Sequence, residues 1–228
     1  MNQLNSWWRD TTGSRVTPEM YIDSFGETLY MVGISLFLGA LLGIPLALAF
    51  VITRPGGLKP NKVVYGILNV VVNIVRSLPF IILLVAISPF TRVIAGTAIG
   101  TTAALVPLTL YIAPFIARLI EQSLLEVNPG ITEAADSMGA SLFQTIRYFL
   151  LPEAKSSIIL AVTTATIGLI SATAMAGTIG GGGVGDLAIS YGYQQFDSVA
   201  MLTTVVLLII IVQLIQSVGN TLARRARA

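Results

Sequence analysis

Most enzyme chemistry at neutral pH draws on a base, a nucleophile or a metal ligand, and this chain is poor in all three. Its 228 residues include neither Cys nor His. Thiolate nucleophiles, disulfides, zinc sites and imidazole acid–base catalysis are therefore excluded. Ser77, Ser171 and Thr173 offer hydroxyls, but a hydroxyl needs an adjacent base to become a nucleophile, and no Lys stands inside an apolar stretch. An intramembrane protease or acyltransferase would lack its base. The only lysines are Lys59, Lys62 and Lys155, and none follows a glycine with the G-x-x-x-x-G-K-[ST] spacing of a P-loop. Gly180, Gly182 and Gly185 satisfy G-x-G-x-x-G formally, yet the segment before them reads as an apolar helix. A dinucleotide fingerprint needs a strand there. Asp186 and Asp197 read as solvated loop charges.

One ionisable residue does stand out. Arg76 lies within an apolar stretch, because residues 78–87 alone would rise only about 15 Å and could not cross a bilayer. An intramembrane Arg is a functional candidate by default. The competing account is that it snorkels to the cytoplasmic headgroups. A guanidinium does not serve as a proton relay at neutral pH, so Arg76 gives a proton-coupled carrier nothing to work with. Together with Ser171, Thr173 and Met175, Arg76 forms a candidate translocation path; helix packing is the alternative for the last three. Gly181, Gly182 and Gly183 are candidates for an outer mouth, with a plain turning loop as the alternative, and on the mouth reading Gly182→Val impairs transport while leaving folding intact.

The elements that carry these residues follow from composition. With 54% hydrophobic and 11% charged residues, against about 25% charged in soluble domains, the chain cannot cover itself with an aqueous surface. Five stretches approach the roughly 20 residues needed to cross: 28–52, 63–87, 101–120, 156–176 and 199–218. Pro107 and Pro114 predict a bend in the third. Gly39 and Gly43 form a GxxxG pair, and the fourth stretch is rich in Ala, Thr, Gly and Ser, both signatures of close helix packing in lipid. Arg54, Lys59, Lys62, Arg118, Arg147, Lys155, Arg224, Arg225 and Arg227 fall on one side, against Arg9, Arg15 and Arg92 on the other. Positive residues stay inside, which places the C-terminus in the cytoplasm and the N-terminus outside. Residues 1–20 form a polar outer tail without a signal-peptide core, in which Trp7 and Trp8 are either interfacial anchors or part of a disordered segment. Residues 221–228 form a basic tail. The net charge of +2 gives no reason to expect nucleic acid as a partner. The expected fold is an all-α integral membrane protein with five transmembrane helices and a cytoplasmic helix–turn–helix loop at about 121–155.

That loop has its own grammar. Asn128-Pro129 is a helix start, Ile131, Ala134, Ala135 and Met138 recur at helical spacing, and Gly139 fits a C-cap. Ser141 and Gln144 have capping-box spacing. Leu142, Ile146, Phe149 and Leu150 then form an apolar stripe that must be covered by a soluble partner, by the protein's own helix ends, or by lipid.

Glu133-Ala134-Ala135, followed by Gly139 and Leu151-Pro152, resembles the EAA motif of ABC importer permeases, with Phe149 where the family often has Ile. Thr53-Arg54-Pro55-Gly56, the segment Asn73 to Phe80, Pro114 to Arg118, Ser171 to Gly177, Gly180 to Gly185 and Tyr191-Gly192-Tyr193 are similar to the methionine branch of that family. The resemblance implies a homodimeric channel for methionine with two copies of an ATPase on the cytoplasmic side and a substrate-binding lipoprotein outside. Glu133, Ala134, Ala135, Gly139 and Ala140 would form the ATPase-coupling segment. ATP and magnesium would belong to the ATPase, leaving this chain without a cofactor or catalytic residue.

Overall fold

A computed structural model describes residues 2–227, so the outermost residues of both expected tails, Met1 and Ala228, lie outside the described residues. Every regular element among them is helical. Four helices are long and apolar enough to cross a membrane, and counting one bent pair of helices as a single broken span brings the number to five.

The N-terminal segment is more ordered than its polarity suggested. α1 (Asn2–Thr12) is a helix, and Trp8 packs beside Val16, Tyr21, Leu187 and Ala200 while Trp7 stays exposed. α2 (Pro18–Thr53) begins ten residues before the expected span, capped by Thr17, whose hydroxyl accepts from the Met20 N–H, with Pro18 at the first turn. Its 36 residues make a rod of about 54 Å, so its acidic first turns extend past a 30 Å hydrocarbon layer.

α2 packs along α6 (Thr101–Leu125), and together they form the spine of the core. The GxxxG pair explains how they approach. A Cβ on Gly39 would overlap the Ile112 side chain, and one on Gly43 would stand 2.6 Å from the Ala113 carbonyl oxygen. Only glycine permits that backbone contact, which supplies the van der Waals attraction that lipid cannot. Pro107 and Pro114 do not interrupt α6, and both rings are buried.

The sharp bend falls elsewhere. α3 (Lys62–Ser77) and α4 (Phe80–Ala86) meet at 102° across Leu78-Pro79. The proline ring forces its predecessor out of the helical region, and Leu78 is extended at ψ 129°. α5 (Ser88–Ala95) follows directly and ends at Gly96.

After α6 come α7 (Pro129–Ser137) and α8 (Leu142–Gln144). A π-type segment, Thr145–Leu150, joins α8 to α9 (Leu151–Gly177) so that residues 142–177 form one continuous helix. The expected outer loop is largely helical: α10 (Val184–Leu187) continues into π-type turns at Ala188–Tyr193. α11 (Ser198–Arg227) runs to the end of the described residues, so the basic segment from 221 is helix rather than tail. The Ser156 hydroxyl ties it to α9, donating to the Ala223 carbonyl at 3.0 Å and accepting from Arg227 Nε at 2.9 Å.

Candidate coupling surface and transport face

The α7–α8 unit is built by its caps. Asn128 Oδ1 accepts from the Gly130 N–H at 2.9 Å, satisfying a donor that a helix start leaves orphaned. At the other end of α7 the Ala140 N–H reaches back to the Ala135 carbonyl at 3.0 Å, and the Gly139 N–H to that of Asp136 at 3.0 Å. This closure requires Gly139 in the left-handed region, at φ +68°. The Ser141–Gln144 capping box then starts α8 with both reciprocal bonds formed.

Burial within the unit is one-sided. Ala135, Thr145 and Leu150 are buried, with Ile146 packed against the main core. The protein's own helix ends thus cover most of the expected stripe, although Leu142 stays 38% exposed. The free face is a different set: Met138, Phe143 and Tyr148 are each about two-thirds exposed, with Glu133, Ala134 and Gly139 also exposed. Glu133 and Asp136 further line a cavity of about 350 Å³ against Arg54, Leu58 and Leu124. Large apolar side chains left open on this unit make a surface suited to a protein partner.

At the opposite end of the bundle the glycine run is a wedged turn. Glu27 Oε2 accepts from the Gly183 N–H at 2.6 Å, Thr28 Oγ1 accepts from the Val184 N–H at 2.9 Å, and the Gly100 N–H donates to the Gly180 carbonyl at 3.0 Å. Gly182 sits at φ +76°, and a Cβ there would lie 2.6 Å from Glu27 Oε2 and 3.0 Å from Thr101 Oγ1. Gly181 and Gly183 are equally hemmed in, by Ala176 and by Thr28 with Met31. These positions hold α2, α6 and α9 together, so the expectation that Gly182→Val would leave folding intact is corrected.

Asp186 and Asp197 are likewise engaged. Asp186 Oδ1 accepts from the Ser190 hydroxyl at 2.7 Å. Asp197 accepts from the Ser14 hydroxyl, the Arg15 N–H and the Ala200 N–H at 2.8–2.9 Å, which pins the segment after α1 to the start of α11. Partial burial raises the Asp197 pKa, but the N–H groups of Ala200 and Arg15 and the Ser14 hydroxyl outweigh it, holding the carboxyl below its ordinary range.

The candidate path residues separate. Ser171 and Met175 share an exposed face of α9 and line a cavity of about 380 Å³ with Leu208 and Val212 of α11. Thr173 is 3% exposed and donates to the Ile170 carbonyl at 2.7 Å, turned into the bundle and away from the face that carries Ser171 and Met175. Arg76 is exposed in the last turn of α3, and its side chain makes no hydrogen bond or ion pair among the described residues.

Residues 39–228 match the family model described as "Binding-protein-dependent transport system inner membrane component". The chain belongs to that family. A probable D-methionine transport system permease protein of Vibrio cholerae is 52% identical over 91% of this chain and 92% of its own length. The corresponding protein of Pasteurella multocida is 43% identical over 87% and 92%. Among solved structures, an inward-facing form of the MetNI methionine ABC transporter superposes with a TM-score of 0.89 at 44% identity, covering 91% of this chain and 96% of that one. An amino acid ABC transporter at 20% identity shares the fold, at a TM-score of 0.77. The chain is thus a multi-pass transport permease of the inner membrane.

One site in this permease escaped sequence reading. Arg118, counted above among the charges at the cytoplasmic helix ends, lies inside the bundle. Its Nη1 donates to Glu121 Oε2 at 2.7 Å, and its Nη2 donates to Asn69 Oδ1 and, at 3.4 Å, to Asn73 Oδ1. Its guanidinium carbon stands 4.1 Å from the centroid of the Phe50 ring. The side chains of Arg118 and Glu121 are 13% and 6% exposed. The cluster joins α2, α3 and α6. Its sequence signal was the i, i+3 pair of opposite charges, split by the boundary between the predicted third span and the loop at 121, with Asn69 and Asn73 one turn apart on another predicted span.

Proposed function

We propose that this permease is the membrane-spanning subunit of a methionine importer, working as a homodimer. Two copies of an ATPase dock on its α7–α8 units and hydrolyse ATP with magnesium. A substrate-binding lipoprotein delivers the amino acid to the end that carries the glycine turn. The reading rests on the superposition with the MetNI transporter over 91% of the chain. The Lys and Arg bias supports a cytoplasmic α7 and C-terminus and an outer N-terminus. The exposed Met138, Phe143 and Tyr148, together with the exposed Glu133 of the same unit, supply the docking surface. The chain's part is mechanical: closure of the ATPase pair pulls on the docked units and rotates the spans as rigid bodies, switching access between the two sides.

Uptake of labelled L- and D-methionine into proteoliposomes holding this chain, its ATPase and its binding protein tests the reading. ATP-dependent accumulation of either enantiomer supports it. An assembled complex that hydrolyses ATP, imports a different amino acid and leaves methionine outside refutes the choice of substrate.

A further inference from the structure

We propose that Arg76 binds the carboxylate of the transported amino acid halfway across the membrane, at the depth of an aromatic column formed by Phe80, Tyr111 and Phe115. This rests on the reading that the cargo is an amino acid.

The depth of Arg76 follows from contacts on either side of it in the chain. Three residues before it, Asn73 accepts from Arg118. Four residues after it, the Phe80 ring lies 5.2 Å from Tyr111 in an edge-on contact. Arg76 is therefore bracketed between the levels of residues 111 and 118 on α6, a helix that runs from Thr101 to Leu125. That level is close to the middle of the crossing, well away from either headgroup layer.

Its direction follows from the helix face. At 100° per residue, Asn69, Asn73 and Arg76 share one side of α3, and Arg118 holds the first two of them against α6. The exposed Val63, Ile67, Val70, Val71 and Ile74 occupy the other side, the side suited to lipid. Arg76 thus faces away from lipid, and the 102° turn at Leu78-Pro79 carries α4 off before it can cover the guanidinium.

A permanent cation at this depth needs water or an anion beside it. Arg118 has Glu121 as its partner, while no acidic side chain pairs with Arg76 among the described residues. A guanidinium fork matches a carboxylate with two parallel hydrogen bonds. Tyr111 and Phe115 stack at 6.2 Å, offering ring surface to an apolar or thioether side chain. Beside them α9 presents Gly168, where even an added Cβ would stand 3.7 Å from Phe115.

The absence of native cysteine makes the test direct. In the reconstituted complex, Arg76→Cys supplies the only thiol of this subunit, and its modification by a negatively charged methanethiosulfonate is read by the mass of this chain. Reaction, slowed at least threefold by methionine during turnover, is expected. In parallel, Arg76→Gln should lower methionine uptake more than tenfold with basal ATP hydrolysis within twofold of the parent, and Arg76→Lys should recover part of the uptake. A thiol that stays unreactive, or Arg76→Gln uptake within twofold of the parent, overturns the inference. Failure of the parent complex to import methionine refutes the choice of cargo instead; thiol access at position 76 still decides whether the path passes there.

Discussion

Replacing Arg118 with Met tests the buried cluster. The substitution keeps much of the side-chain volume but leaves the Glu121 carboxylate, 6% exposed, without its cation. It also removes a donor from Asn69 and Asn73 and a cation from the face of Phe50. Breaking a buried pair by deleting one partner costs about 3–5 kcal/mol, because the remaining charge is stranded. In soluble domains of this size each kcal/mol moves Tm by roughly 2–4 °C, so thermal unfolding in detergent micelles should shift down by about 6–20 °C. The second half of the cycle is Arg118→Met with Glu121→Gln, which removes both charges and should recover more than half of the loss. A single variant that melts within about 2 °C of the parent, or a double variant no better than the single, refutes the view that the buried Arg118–Glu121 pair stabilises the bundle electrostatically.

Gly182→Val should lower the yield of folded protein and the melting temperature together, since it combines a left-handed φ with a Cβ 2.6 Å from Glu27; a monodisperse variant with parental Tm would contradict this. Gly139→Val has open space around it and meets only the backbone penalty of about 1–2 kcal/mol, so the membrane bundle should persist while the ratio of methionine imported to ATP hydrolysed falls. An unchanged ratio would count against the turn as part of the coupling segment. The lowered pKa of Asp197 makes the docking of residues 14–16 pH-dependent: a depressed carboxylate stabilises fully above its unfolded value and loses that contribution as pH drops through the folded value. Amide protection at residues 14–16, taken relative to the intrinsic exchange rate at each pH, should therefore fall in acid, and Asp197→Asn should show reduced protection at neutral pH too.

Length and hydropathy sufficed to find the long apolar helices, because the bilayer imposes a length on any helix that spans it. The caps of α7 and α8 were readable for a similar reason: Asn128, Gly139, Ser141 and Gln144 act on backbone groups within a few residues of themselves. Pro79 and Pro107 show where such reading stops. Both are prolines in apolar segments, yet only Pro79 breaks its helix, since Pro107 is buried against neighbours that hold α6 in place. Asp197 looked like a solvated loop charge because two of its partners, Ser14 and Arg15, are more than 180 residues away. Thr173 was grouped with Ser171 and Met175 by proximity in the chain, whereas the helical turn points it to the opposite side.

The continuity of residues 142–177 has a mechanical consequence. A 36-residue helix is a lever of about 54 Å, with the α8 end standing on the docking surface and Gly177 packed against the backbone of Asp186 at the other. A tilt of about 10° around its middle would carry each tip some 5 Å, roughly one helical turn. The π-type turns at Thr145–Leu150 sit near the driven tip, where a wider coil can absorb twist while the rest of the rod moves as one piece. Force applied at one membrane surface would thus reach the other through a single unbroken length of backbone.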